Sequence, residues 1–144
     1  MLDFEHSLPF MLLRAREGCM TRFRPILAEQ GLTEQQWRVI RALAERNGLE
    51  SSELAESTMI LKPSMTGIVD RLERDGLVER RKDRHDGRKN CIWLTRKARR
   101  LYERIIPLVE AEYANMKSRF TEDGWQELFQ SLDQLIHFGS NYTD

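Results

Sequence analysis

Arginine and lysine are concentrated in one part of this chain, between residues 71 and 100. That segment holds twelve Lys or Arg and five Asp or Glu, a net charge of +7, whereas residues 101–144 hold three and eight, a net charge of −5. The formal net charge of the whole chain is zero, so the average conceals a basic block. Such a block is the electrostatic footprint of a protein that binds a nucleic-acid backbone. The alternative is an ordinary solvated face.

A helix predicted at residues 62–75 has two contrasting faces. Because a helix advances by about 100° per residue, its apolar side chains share one face: Met65, Ile68, Val69 and Leu72. The opposite face and the N-terminal end carry small or charged residues: Lys62, Pro63, Ser64, Thr66, Gly67, Asp70, Arg71 and Arg74. Small residues allow close approach to base edges, hydroxyl groups bond bases or phosphates, and a helix N-terminus attracts phosphate. The alternative is a surface helix on which Asp70 pairs with Arg74.

Residues 77–94 read as a β-hairpin with a long polar loop. Two short strands, 77–82 and 90–94, flank a loop rich in turn-forming and charged residues. Arginine is attracted into the minor groove by its negative potential, so a basic loop on a stiff ribbon suits insertion there. The candidate side chains are Arg84, Arg88 and Lys89. We expect Asp83 and Asp86 to hold the loop and orient the arginines.

The rest of the chain reads as helices separated by turns. We predict helices from Leu8 to Glu29, over residues 51–57, and after each of three N-cap threonines: from Thr33 to about Arg46, from Thr95 to about Arg119, and from Thr121 to about Phe138. Thr33 with Gln36 forms a capping-box pattern, and Ser51 or Ser52 is the expected cap of the short helix. Pro107 should kink or locally shift its helix. The predicted fold is mainly α with a small β-hairpin: a winged helix-turn-helix with long flanking helices.

In this order and spacing, the chain resembles the MarR family of transcriptional regulators over its whole length. The matching pieces are residues 32–37 (LTEQQW), the SSELAE helix, residues 63–78, the wing 83–88 and Leu94-Thr95. His85 stands where the family's wing usually has arginine, and Ala98 stands where a glycine often occurs. Residues 14–38 are further similar to the subgroup that regulates homoprotocatechuate (4-hydroxyphenylacetate) degradation operons.

The resemblance implies an obligate homodimer on a pseudo-palindromic double-stranded operator. Residues 1–144 would form one MarR-like domain, with dimerisation helices at 8–30 and 95–140 and a winged lobe at 33–94. The apolar residues of the flanking helices support this independently, because they exceed what a small domain can bury alone. They are Leu8, Leu12, Ala15, Cys19, Phe23 and Ile26, then Leu101, Ile105, Leu108, Val109, Tyr113, Met116, Phe120, Trp125, Leu128, Phe129, Leu132, Leu135 and Ile136.

The subgroup resemblance implies a repressor that a small phenolic or aromatic acid releases. An aromatic carboxylate needs a cation and an apolar slot. Arg16 falls within the apolar sector of the first helix, where a buried arginine requires an anionic partner. We expect Arg16 and Arg38 to face the carboxylate, and the ring slot to be lined by Met20, Trp37 and Ile60. The alternative is that Arg16 pairs with a glutamate across the dimer.

Other classes of function find less support in the sequence. Cys19 and Cys91 do not make a disulfide framework, and we expect two buried, reduced thiols. A cysteine-based redox regulator of the same fold is the main alternative, and it needs an accessible cysteine of low pKa. A zinc sensor is disfavoured by three scattered histidines, and an enzyme by the lack of catalytic motifs. We expect no cofactor, no metal, no membrane span and a cytoplasmic location. A winged module that binds only protein remains open.

Overall fold

The computed structural model describes residues 3–140, which fall into two compact units that divide after Leu108. A short 3-10 helix, Phe4–His6, precedes the first long helix. The helices are α1 (Leu8–Glu29), α2 (Glu34–Glu45), α3 (Ser51–Thr58), α4 (Lys62–Arg74), α5 (Arg96–Lys117) and α6 (Glu122–Ser140). The strands are β1 (Leu49–Glu50), β2 (Val78–Lys82) and β3 (Asn90–Leu94). The predicted fold, mainly α with a small β-hairpin, is confirmed.

Local capping determines where several helices begin. The side chain of Thr33 accepts a hydrogen bond from the Gln36 N–H at 3.1 Å, and the Gln36 side chain accepts one from the Thr33 N–H at 3.0 Å. The predicted capping box of α2 is therefore confirmed. The predicted cap of α3 was wrong: Glu50 caps it, in a reciprocal arrangement with Glu53. Pairing within the sheet holds Glu50 in the extended conformation that a cap needs.

The hairpin is part of a three-stranded antiparallel sheet in the order β1-β3-β2. In β2 and β3, Val78 faces Leu94 and Arg80 faces Ile92, as a simple hairpin requires. Strand β1 was not predicted; it adds to the other edge of β3, where Leu49 pairs with Ile92. With only two residues, β1 has no alternating pattern to reveal it.

The core of the first unit forms around the apolar face of α4. Met65, Ile68, Val69 and Leu72 are each at most 2% exposed, which confirms the predicted faces of this helix. They pack among α2, α3 and β2. Burying a large aliphatic side chain stabilises a fold by about 1.5–3 kcal/mol, so these four residues hold α4 in one rotational setting. Its polar face must then point outward.

The long C-terminal helices begin where the sequence predicts. Thr95 accepts a hydrogen bond from the Ala98 N–H at 3.2 Å, and Thr121 accepts one from the Gly124 N–H at 3.0 Å. Helix α5 continues through Pro107 without interruption. In the second unit the rings of Phe120, Trp125 and Phe129 pack in series, with centroids 5.5 and 5.1 Å apart. No helix within residues 3–140 is both long and apolar enough to cross a bilayer.

Gly48 provides a test of how the sheet packs. Its backbone is left-handed, with φ of +78°, and a Cβ there would lie 2.5 Å from the ring of Trp93. We predict that Gly48→Ala lowers the free energy of unfolding by about 1–3 kcal/mol, because it adds backbone strain to a steric clash. Urea unfolding at fixed protein concentration measures the change. Gly87→Ala is the control, since Gly87 has no neighbour within 4 Å of such a Cβ. Equal stability of the two variants would contradict this account.

Candidate nucleic-acid interface and effector site

The outer face of α4 is open to solvent over its length. Of the predicted DNA-binding residues, Lys62, Pro63, Ser64, Thr66, Arg71 and Arg74 are exposed, and Gly67 is half-exposed. Pro63 lies in the first turn, and no side chain caps the helix N-terminus. The guanidinium group of Arg71 lies alongside Gly67, 3.4 Å from where a Cβ would stand. This face therefore presents small residues, two hydroxyl groups and an uncapped helix start together.

A residue that the sequence analysis did not single out, Arg80 on β2, connects the hairpin to α4. Its guanidinium group donates to Asp70 at 2.6 Å and to Glu73 at 2.8 Å, and its backbone N–H donates to Glu73 at 3.3 Å. The suggested alternative pair of Asp70 with Arg74 does not form, because Arg80 takes Asp70 and Arg74 pairs with Asp75 at 3.5 Å. Burial opposes the charged form of Arg80, but these carboxylates raise its pKa overall. Arg80 thereby neutralises two carboxylates that would repel phosphate.

The hairpin loop is held by aspartates, as predicted. Asp83 accepts hydrogen bonds from the backbone N–H groups of His85 at 2.7 Å and Asp86 at 3.3 Å. Asp86 accepts one from the Arg88 N–H at 3.0 Å, while the Arg88 side chain remains 97% exposed. The bond from the His85 N–H is the main factor that lowers the pKa of Asp83. The loop thus has a fixed backbone and projecting arginines.

Lys89 and Arg81 lie at the base of the hairpin, where they have other partners. Lys89 pairs with Glu50 of β1 at 3.2 Å, and that pairing raises the pKa of Lys89. The guanidinium group of Arg81 lies 5.3 Å from the ring centroid of Trp93, a cation–π distance. A cleft of about 480 Å³ opens beside them, and it is lined by Gly48, Arg81, Lys82, Asp83, Arg84, His85, Cys91 and Trp93.

Two of the predicted effector residues meet at one carboxylate. Arg16 of α1 and Arg38 of α2 both pair with Glu34, the latter at 2.9 Å, and Arg24 reaches the same carboxylate at 3.4 Å. Arg38 also donates to the carbonyl oxygen of Thr58 at 2.8 Å. The expectation that Arg16 is buried was wrong for the single chain, because its side chain is 45% exposed. Its glutamate partner lies within the same chain.

The predicted ring-slot residues occupy different depths. Trp37 is 7% exposed and stacks on Tyr102 with ring centroids 5.6 Å apart. Ile60 is 5% exposed in the turn between α3 and α4. Met20 is half-buried on α1, one turn after Arg16. Trp37 and Arg38 are consecutive on α2, so their side chains leave the helix about 100° apart.

The two cysteines differ in their surroundings. Cys19 is exposed in this chain, which contradicts the expectation of two buried thiols, and Cys91 is buried. Burial is the main cause that raises the pKa of Cys91, and the charges of Asp83 and Glu50 add to it. A raised pKa disfavours the thiolate that redox chemistry requires. Within residues 3–140 there is no cluster of three or more His, Cys, Asp or Glu residues that could hold a metal ion.

Comparisons with known proteins agree with this geometry. A family profile described as MarR family matches residues 30–89. The homoprotocatechuate degradative operon repressor of Escherichia coli is 44% identical over 135 residues, which are 94% of this chain and 91% of the repressor.

Solved structures extend the likeness to three dimensions. Ligand-free NadR is 36% identical with a TM-score of 0.85, over 96% of this chain and 99% of that one. NadR in complex with 4-hydroxyphenylacetate is 39% identical with a TM-score of 0.79, over 94% and 96%.

The chain therefore belongs to the MarR family of transcriptional regulators. The predicted winged helix-turn-helix fold and the resemblance to the homoprotocatechuate subgroup are both confirmed. Relatives that match more than nine-tenths of the chain are transcriptional regulators, so this protein is a regulator and not an enzyme. The relative's description as an operon repressor favours a ligand-released repressor over the cysteine-based alternative.

The reactivity of the Cys91 thiol can be tested directly, and this checks the part of the redox alternative that involves Cys91. We predict that iodoacetamide at pH 8 leaves Cys91 unmodified in the native protein and alkylates it after unfolding in urea. The reason is that burial limits access to the thiol and also raises its pKa. Mass spectrometry of tryptic peptides measures the modification, and the urea-unfolded sample is the internal control. Rapid alkylation of native Cys91 would restore the redox hypothesis.

Proposed function

We propose that this regulator is a homodimer that binds pseudo-palindromic operator DNA in the cytoplasm and represses transcription until a small aromatic carboxylate binds. The observation that carries the proposal is the outer face of α4. This face is open to solvent, and the helix begins at an N-terminus that no side chain caps. The bond from Arg80 to Asp70 fixes the helix beside the basic hairpin. In the proposed winged lobe, residues 33–94, the recognition helix is 62–75 and the wing is 77–94.

In this proposal α4 enters the major groove. Ser64 and Thr66 offer hydroxyl groups to bases or phosphates, and Gly67 allows the backbone to approach closely. The cationic groups of Lys62, Arg71 and Arg74 would bind phosphate oxygens or guanine edges. Pro63 leaves the first turn without an N–H group that would need a partner.

The wing would reach the adjacent minor groove. Arg84 and Arg88 project from a loop whose backbone is fixed by Asp83 and Asp86. Lys89, held at the base of the hairpin by Glu50, would face the phosphate backbone from there. A loop whose backbone is already fixed loses less conformational freedom on binding than a mobile loop does.

The dimer is supported by exposed apolar residues on the terminal helices. On α1, Leu8 is 51% exposed and Leu13 is 55% exposed, and on α6, Phe129 is 51% and Ile136 66% exposed. Apolar surfaces of this kind mark association sites. Residues 8–30 and 95–140 would form the dimer interface of a single MarR-like domain of residues 1–144. Two α4 helices would then read half-sites roughly 34–36 Å apart.

The effector site is proposed around the two arginines that share Glu34. The guanidinium groups of Arg16, Arg24 and Arg38 surround two carboxylates, those of Glu17 and Glu34. One positive charge is left over, and it suits the carboxylate of an aromatic acid. Met20, Trp37 and Ile60 would line the ring slot. NadR, a relative of similar fold, has been crystallised with 4-hydroxyphenylacetate, which makes that acid the first probe. A ligand releases DNA only if it binds the non-operator conformation more tightly.

The wing arginine provides a test of DNA binding. We predict that Arg88→Ala weakens binding to duplex DNA from the regulator's own upstream region. It should also reduce the slope of log affinity against log salt by about 1, because one cation that neutralises the charge of the DNA backbone from within the minor groove is lost. Fluorescence anisotropy over a potassium chloride series measures both quantities.

Arg14→Ala is the matched control for this experiment. It removes an exposed arginine from α1, where Arg14 lies 6.0 Å from the ring centroid of Phe10. Its salt slope should equal that of the wild type. An unchanged slope for Arg88→Ala would remove Arg88 from the interface, and no binding by the wild type would contradict the proposed function.

Arg16 provides a test of the effector site. We predict that Arg16→Ala binds 4-hydroxyphenylacetate about 10- to 100-fold more weakly, because a hydrogen bond to a charged group contributes about 1.5–3 kcal/mol. Isothermal titration calorimetry on a dimer that still binds DNA measures the affinity, with Arg14→Ala as the control. Unchanged affinity in Arg16→Ala would show that Arg16 has a structural role with Glu34 instead.

A further inference from the structure

Two large apolar side chains stand in solvent immediately before α4. Met59 is 89% exposed and Leu61 is 76% exposed, the highest values for large apolar side chains within residues 3–140. Ile60 between them is 5% exposed and belongs to the core. The turn therefore buries its central residue and directs the side chains on both sides of it outward.

The backbone of this turn is unfavourable for a methionine. Met59 has φ of +54° and ψ of +36°, and among residues 3–140 no other non-glycine residue has a positive φ. Glycine is the usual residue at such a helix C-terminus, because it has no Cβ to clash. The Met59 N–H donates to the Glu56 carbonyl at 3.3 Å and the Ile60 N–H to the Ala55 carbonyl at 3.1 Å. A residue that suits neither this conformation nor this exposure indicates a functional constraint.

The position of the pair identifies what it could contact. Leu61 is the N-cap residue of α4 and directly precedes Lys62, so both side chains lie at the end of the helix proposed to enter the major groove. Of the groups that bases present in that groove, the C5-methyl group of thymine is the apolar one. Contact between an apolar side chain and a phosphate is not favourable, whereas contact with a methyl group removes apolar surface from water and is favourable.

We propose that Met59 and Leu61 contact thymine methyl groups in each half-site, and so contribute to the choice of operator. This inference rests on the proposed DNA-binding function. A second copy of the chain is the other candidate occupant. It is disfavoured because exposed cationic and polar groups, those of Lys62 and Ser64, directly follow the pair along the chain.

Substitution of deoxyuridine for thymidine tests the proposal, because it removes the methyl group and keeps base pairing. The probe is a duplex selected by the wild-type protein from a random pool, with each thymidine replaced in turn. At one or two positions per half-site, the wild type should lose about fourfold in affinity, which corresponds to one buried methyl-sized group at about 0.8 kcal/mol.

Leu61→Ala and Met59→Gly should each abolish sensitivity at one of those positions. Met59→Gly should also leave the melting temperature unchanged or raise it, because glycine suits the left-handed backbone. Phe4→Ala, which removes another exposed apolar side chain (73% exposed), should retain the full sensitivity.

Three results would overturn the inference. The first is tight binding by the wild type with no thymine position sensitive to the substitution, which would leave the proposed DNA-binding function intact. The second is sensitivity that persists in both variants. The third is a dimer dissociation constant, measured by sedimentation, that rises in Leu61→Ala or Met59→Gly, which would assign the pair to an interface between copies. Failure of the wild type to bind any duplex would instead contradict the proposed function itself.

Discussion

The buried apolar face of α4 is the constraint on which the rest of the structure depends. Met65 and Leu72 are fully buried at either end of that face, so the helix can neither roll nor tilt without exposing them. The orientation of every outward residue from Lys62 to Arg74 follows from this packing. Truncating both Met65 and Leu72 to alanine would lower the free energy of unfolding by more than most single contacts in the domain contribute. Hydrophobic packing on the buried face of α4 therefore positions the side chains of its outer face that are proposed to contact DNA.

Carboxylates organise the cations around that helix. Arg80 holds Asp70 and Glu73, Asp86 fixes the backbone at Arg88, and Glu50 holds Lys89. Exposed ion pairs of this kind add little to stability, with a median near 0–1 kcal/mol. Their consequence is geometric: the acidic groups of the basic block are held by cations or by backbone N–H groups, and the exposed side chain of Arg88 projects from a fixed backbone. The same logic applies at Glu34, where Arg16, Arg24 and Arg38 converge on one carboxylate.

The sequence predicted those features that depend on local pattern. The period of Met65, Ile68, Val69 and Leu72 predicted the two faces of α4, and Thr33 with Gln36 predicted the start of α2. What it could not predict depends on contacts between distant segments. Two residues are too short to reveal β1, and β1 in turn makes Glu50 the cap of α3. Arg80 lies ten residues from Asp70, beyond any helical spacing rule, so their pairing required the hairpin to be in place. The exposure of Arg16 likewise depends on tertiary packing.

The central claim is that the outer face of α4 reads the major groove as one half of a dimer. Protection of guanine N7 from dimethyl sulfate tests this most directly, because N7 lies in the major groove. The account predicts two protected patches on a bound operator, centred about 10 base pairs apart, with one patch for each protomer's α4. Tight binding that leaves every guanine N7 open to methylation would contradict it.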